Sequence, residues 1–116
     1  MNYLTRLIAA TRYSWTGIAA ALRHEAAFRT EVAILPLAVA GAFYFGDNSI
    51  ERLLLIGSWL LVLIVELINS AIEATVDRVG SEQHKLSGRA KDMGSGAVHL
   101  AIIVASAIWL TLLLDL

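Results

Sequence analysis

Charged side chains are missing from three stretches of the chain, residues 32–46, 53–65 and 93–114. A helix needs about 20 residues to cross roughly 30 Å of hydrocarbon, and the third stretch meets that length alone. The first meets it once Ala26, Ala27 and Phe28 are added and Arg29 bends its aliphatic stem toward the headgroups. The second becomes a span over 53–72 that holds a single ionisable group, Glu66. The pattern predicts an all-α membrane protein, one domain over residues 1–116, with transmembrane helices at about 26–46, 53–72 and 93–114. Before them, Leu4, Leu7, Ile8, Thr11, Trp15, Ile18 and Leu22 share an arc of about 100° at helical spacing, while Thr5, Arg6, Arg12, Thr16 and Arg23 lie off it. That predicts an amphipathic surface helix over 1–25, with Tyr13 and Trp15 at headgroup depth.

The punctuation agrees with these elements. Gly46, Asp47 and Asn48 open a tight turn between the first two spans. Gly80 is expected to end the second helix, and Ser87 to cap a cytoplasmic extension of the third. Pro36 falls inside the first span, where neighbouring helices compensate for its missing N–H. The first apolar run follows four arginines and no small-residue cleavage pattern succeeds it, so it is read as part of the mature chain.

Composition narrows the class. Apolar residues make up 58% of the chain and charged residues 16%, against about 45–50% and 25% in an ordinary soluble domain. Disorder and a water-soluble monomer are both excluded by that balance. A net charge of −1 supplies no basic field for nucleic acid, and the absence of cysteine removes disulfides and thiolate metal sites. Eight of the nine Lys and Arg residues lie before the first charge-free stretch or between the second and third spans. The positive-inside rule then places the N-terminus in the cytoplasm and the C-terminus outside.

The chemistry sits on the second span. Glu66, Asn69, Ser70, Glu73 and Asp77 fall at i, i+3, i+4, i+7 and i+11, a polar stripe rising about 16 Å along one helix face. A carboxylate in hydrocarbon costs at least about 2.5–3.5 kcal/mol, so it must face protein or water. Glu66, the deepest, suits a general base; Glu73 and Asp77, nearer the headgroups, are hard oxygen donors suited to Mg²⁺. Glu25 and Glu31 flank the start of the first span, and Arg6, Arg12, Arg23, Arg29, Lys85, Arg89 and Lys91 crowd the same membrane face. Acids for a metal and bases for an anion fit phosphoryl transfer, although no phosphate-binding loop or protein-kinase signature is present. Simple helix glue and a proton- or cation-coupled transporter relay are the competing readings of the stripe. His99 reads as a helix contact, Gly94, Ser95 and Gly96 as packing residues, and Trp59 and Trp109 as belt or lipid-facing residues. Three spans are few to shelter such a stripe, which argues for a homo-oligomer.

The segments EAAFR at 25–29, VELINSAIEATVDR at 65–78, GSE at 80–82 and LSGRAKDMGS at 86–95 closely resemble the prokaryotic diacylglycerol kinase family over nearly the whole chain. The resemblance implies a homotrimeric, multi-pass enzyme of the bacterial inner membrane that phosphorylates diacylglycerol to phosphatidate with ATP and Mg²⁺. It implies Glu66 as catalytic base, and Glu25 and Glu73 as metal ligands that also bind ATP. Arg6, Tyr13, Glu82, His84, Lys91 and Asp92 match nucleotide contacts, with Gln83 between two of them. Arg6 and Glu66 also belong to the lipid side, with Ser14, Trp15, Glu31, Arg52, Ser95 and Trp109, while Asn69 and Asp77 support the site. Undecaprenol kinase, an activity of related members, is the nearest alternative.

Overall fold

The computed structural model describes residues 2–80 and 84–116, and among them the secondary structure is helix alone. Helix α1 (Tyr3–His24) is opened by Asn2, whose side-chain oxygen accepts from the Thr5 N–H at 2.8 Å and from its hydroxyl at 2.9 Å. Extended backbone at Glu25 breaks the chain between α1 and α2 (Ala26–Phe45). Arg29 secures this corner, its Nη1 donating to the carbonyls of Leu22 and Arg23 at 3.1 and 3.0 Å. Those are carbonyls that the end of α1 leaves without helical partners, so Arg29 is held by α1 rather than reaching freely for headgroups.

Helix α3 (Ser49–Val79) starts at Asn48, which accepts from the Glu51 N–H at 3.0 Å. It begins earlier and ends later than the apolar run at 53–72, and it stops at Gly80 as expected. Helix α4 (Lys85–Leu113) is capped by His84, whose Nδ1 accepts from the Leu86 N–H at 3.0 Å. This corrects the expected Ser87 cap: the extended residue lies just ahead of the first turn, and Ser87 is already inside the helix. Each of α2, α3 and α4 is long and apolar enough to cross a membrane.

Helix α3 is the centre of the fold, with α2 and α4 packed along it and α1 packed against the start of α2 and the C-terminal half of α3. Phe28, Leu63 and Ala21 form one buried cluster with Ile18 and Leu67 against it; Val62, Ala101 and Ala105 form another beside Trp59 and Val65. The alanines let α4 approach α3 closely. Trp59 Nε1 donates to the Glu31 carbonyl of α2 at 2.8 Å, and Trp109 Nε1 donates to the Leu55 carbonyl of α3 at 3.1 Å. Both indoles are therefore interhelical ties rather than freely lipid-facing residues. Leu37, Phe43, Ile64, Leu100 and Ile103 face outward, as residues in contact with lipid chains would.

The α2–α3 turn depends on Gly46. A Cβ there would meet the Ala42 carbonyl at 2.6 Å and Arg52 Cγ at 2.8 Å. Gly46→Ala is expected to destabilise the folded protein by about 1–3 kcal/mol, read as an earlier unfolding midpoint in mixed micelles; an unchanged midpoint would show that the turn relaxes.

Candidate active site on the central helix

The predicted stripe is graded in depth. Glu66, Asn69 and Ser70 are buried, at 6, 9 and 8% exposure, Glu73 is half-buried and Asp77 exposed. Asn69 Nδ2 donates to Glu66 Oε2 at 3.4 Å and to Glu73 Oε1 at 3.3 Å. One amide thus ties the deep carboxylate to the shallow one, an arrangement that the i, i+3, i+7 spacing allows because all three side chains leave one face. The Asn69 Oδ1 points the other way, against Gly94 of α4, and has no hydrogen-bond donor among the described residues.

A second carboxyl closes the deep end. Glu31 of α2 is 9% exposed, its side chain meets that of Glu66, and its Oε2 has no partner among the described residues. Its backbone carbonyl is the one that Trp59 holds. Two acids facing each other in an apolar bundle are unfavourable unless they share a proton or engage a polar ligand. The pair therefore marks a place where a hydroxyl could be received and its proton taken.

At the shallow end Asp77 pairs with Lys91 of α4 at 2.7 Å. Both side chains are well exposed, so the pair fixes where the ammonium sits more than it stabilises the fold. Asp77→Asn is expected to leave the unfolding midpoint nearly unchanged, because both side chains are well exposed; a large loss of stability would reverse that assignment.

Glu25 lines a groove of about 700 Å³ between α1 and α3, together with Ser14, His24, Leu67, Ser70 and Ala74. Among the described residues no three His, Asp or Glu side chains converge to hold a metal. The donors present still suit Mg²⁺, which uses one or two carboxylates and takes its remaining oxygens from phosphates and water. Glu73 fits that role, because Asn69 occupies only its Oε1 and the half-buried carboxylate keeps a second oxygen.

The other expected residues are spread more widely. Arg6, Tyr13, Ser14 and Trp15 are exposed on α1; Ser14 Oγ donates to the Ala10 carbonyl at 2.8 Å, and among the described residues no side-chain hydrogen bond joins these four to α3. Arg52 lies fourteen residues from Glu66, about 21 Å along α3, with its guanidinium 5.3 Å from the Phe43 ring centroid. Trp109 lines a slot of about 320 Å³ with Ile34, Leu37, Ala38, Trp59 and Ser106. Ser95 and Asp92 are exposed on α4, and Glu82 and Gln83 lie outside the described residues. His84 uses Nδ1 as a helix cap, which leaves Nε2 as the atom able to meet a ligand. Within one chain the structure gathers Glu31, Glu66, Asn69, Glu73, Asp77 and Lys91.

Two expectations for α4 change. Gly94 does pack against α3, but nothing lies within 4 Å of a Cβ at Gly96, and His99 is exposed in the chain rather than a contact within it. The apposition of Glu31 to Glu66 has no signal in sequence spacing, since it joins two helices.

A family model described as prokaryotic diacylglycerol kinase matches residues 12–113. Curated proteins named diacylglycerol kinase are similar to the chain: one from Escherichia coli at 59% identity over 109 residues, covering 94% of this chain and 89% of the relative. Another from Pseudomonas aeruginosa is 51% identical over 111 residues, 96% and 90% of the two chains, and one from Haemophilus influenzae is 45% identical over 106 residues, 91% and 90%.

Proposed function

The chain belongs to the prokaryotic diacylglycerol kinase family, and on that premise we propose that it transfers the γ-phosphoryl group of ATP to the hydroxyl of membrane diacylglycerol, giving phosphatidate and ADP. The observation that carries the reading is the buried Glu66 carboxylate tied through Asn69 to the half-buried Glu73. An alcohol is a poor nucleophile until its proton is taken, and a positioned base contributes about 10²–10⁴-fold to such a step.

The residues divide by depth. The lipid enters from the side and presents its hydroxyl between Glu66 and Glu31. Glu66 accepts the hydroxyl proton as the oxygen attacks the γ-phosphorus, and the bond to the β-phosphate oxygen breaks with ADP as the leaving group. Glu73 and Glu25 would hold Mg²⁺, which would supply charge neutralisation on the phosphates. Lys91, steered by Asp77, adds a cation at the same level, and Arg6, Tyr13, Glu82, Gln83, His84 and Asp92 complete the nucleotide side. Ser14, Trp15, Arg52, Ser95 and Trp109 belong to the lipid side.

Arg6, Tyr13 and Trp15 are exposed on α1 and, among the described residues, make no side-chain hydrogen bond to the stripe, although Ser14 lines a groove with Ser70. That separation supports a homotrimer in which they serve a neighbouring copy's site. The enzyme is proposed to lie in the bacterial inner membrane, with α1 and the α3–α4 link in the cytoplasm and the C-terminus in the periplasm.

The test is a kinase assay of purified protein in lipid vesicles with labelled ATP and either diacylglycerol or undecaprenol. Mg²⁺-dependent labelling of phosphatidate, with little polyprenyl phosphate, is expected. Equal or greater turnover of the polyprenol would overturn the substrate assignment.

A further inference from the structure

Asn69 is the hinge of the site, and its amide has two ends with different needs. Nδ2 serves Glu66 and Glu73 at 3.4 and 3.3 Å, both at the long edge of hydrogen-bonding distance, so a small displacement breaks them. Oδ1 is buried and has no donor among the described residues. Turning the amide over would aim its carbonyl oxygen at two carboxylates and forfeit both of these hydrogen bonds. The orientation is thus dictated by the acids, and the oxygen must be stored somewhere.

It is stored where α4 has no side chain. A Cβ at Gly94 would collide with Asn69 Oδ1 and would also lie 3.3 Å from Asn69 Cγ. Gly94 is itself buried, so the amide cannot swing outward past it. Of the other helical glycines, Gly17, Gly57, Gly88 and Gly96 have nothing within 4 Å of an added Cβ, while Gly41 would meet the Trp109 ring at 3.0 Å and no polar group.

We infer that Gly94 is a positioning residue for phosphoryl transfer, its missing side chain being the socket that locks the Asn69 amide with Nδ2 between Glu66 and Glu73. The inference rests on the reading of Glu66 as base and Glu73 as metal ligand. A β-carbon at this position forces Oδ1 away, rotates Nδ2 off the carboxylates and releases the two acids from each other. Gly94 touches no reacting atom; it acts through Asn69.

The test uses four variants of the full chain in lipid vesicles: Gly94→Ala, Gly96→Ala, Asn69→Ala and the Gly94→Ala/Asn69→Ala pair. Gly94→Ala is expected to lower kcat about tenfold or more, as losing a positioning hydrogen bond does, with KM for diacylglycerol within about twofold of wild type. Gly96→Ala, on the same helix, should behave as wild type. Adding Gly94→Ala to Asn69→Ala should change kcat by less than about twofold, because the effect has already been spent. The ¹H–¹⁵N signal of the Asn69 side-chain amide should move in Gly94→Ala and stay in place in Gly96→Ala.

Near wild-type kcat in Gly94→Ala, a further tenfold loss in the double variant, or an unmoved Asn69 signal would each overturn the inference. Should Gly94→Ala alone fail to fold, the double variant has the space restored and is expected to fold; its failure too would show that Gly94 packs for another reason. The amide signal is read without turnover, so it judges the socket even if Glu66→Gln proves active and the assigned base is lost.

Discussion

Glu66→Gln is expected to suppress phosphatidate formation by about 10²–10⁴-fold, the span of a lost general base. Gln keeps the size of the side chain and a carbonyl oxygen that can still accept from Asn69 Nδ2, so the helix contacts that bury it are retained. The carboxyl of Glu31 then faces an amide instead of a second acid, which removes a like-charge conflict from the bundle. Folded yield and unfolding midpoint should match wild type or exceed it, while kcat collapses with little change in KM for either substrate. Activity above about a tenth of wild type would rule out this carboxylate as the proton acceptor, because the expected loss is at least tenfold greater.

Glu73→Gln should act differently. The Gln carbonyl can still receive the second hydrogen bond of Asn69, so the amide stays in place and the substitution removes only the charge. The rate plotted against Mg²⁺ at fixed ATP is expected to shift its midpoint upward by about tenfold or more, with a lower plateau, since Mg²⁺ sites in phosphoryl-transfer enzymes depend on one or two carboxylates. An unchanged titration curve would take Glu73 out of the ligand set and leave it as a partner of Asn69 alone.

The sequence made the three spans legible because charge is so sparse that its gaps mark the apolar helices directly. Their ends were less legible. The end of α3 at Gly80 agrees with the punctuation, but its start at Ser49, set by the Asn48 cap, lies ahead of the apolar run, because an apolar window cannot see a helix that leaves the hydrocarbon. The stripe was readable from its period, since Glu66, Asn69 and Glu73 lie on one helix. What joins helices was not: the meeting of Glu31 with Glu66, the two indole ties and the fit of Gly94 to Asn69 depend on which faces oppose one another. The cap of α4 was misread because both Ser and His side chains can accept from a first-turn N–H, and only backbone geometry selects His84.

The tethering of Trp59 and Trp109 gives the protein a built-in optical gauge. Both indoles line the slot between α2 and α4 with their N–H groups committed to backbone carbonyls, whereas Trp15 stands exposed on α1. With Trp15 replaced by Phe, the remaining fluorescence should be blue-shifted and shielded from acrylamide in water, yet quenched by acyl chains carrying bromine. The Trp59 contribution comes from a ring bonded to the backbone of Glu31, so its emission can follow events at the reacting carboxyls without any attached dye.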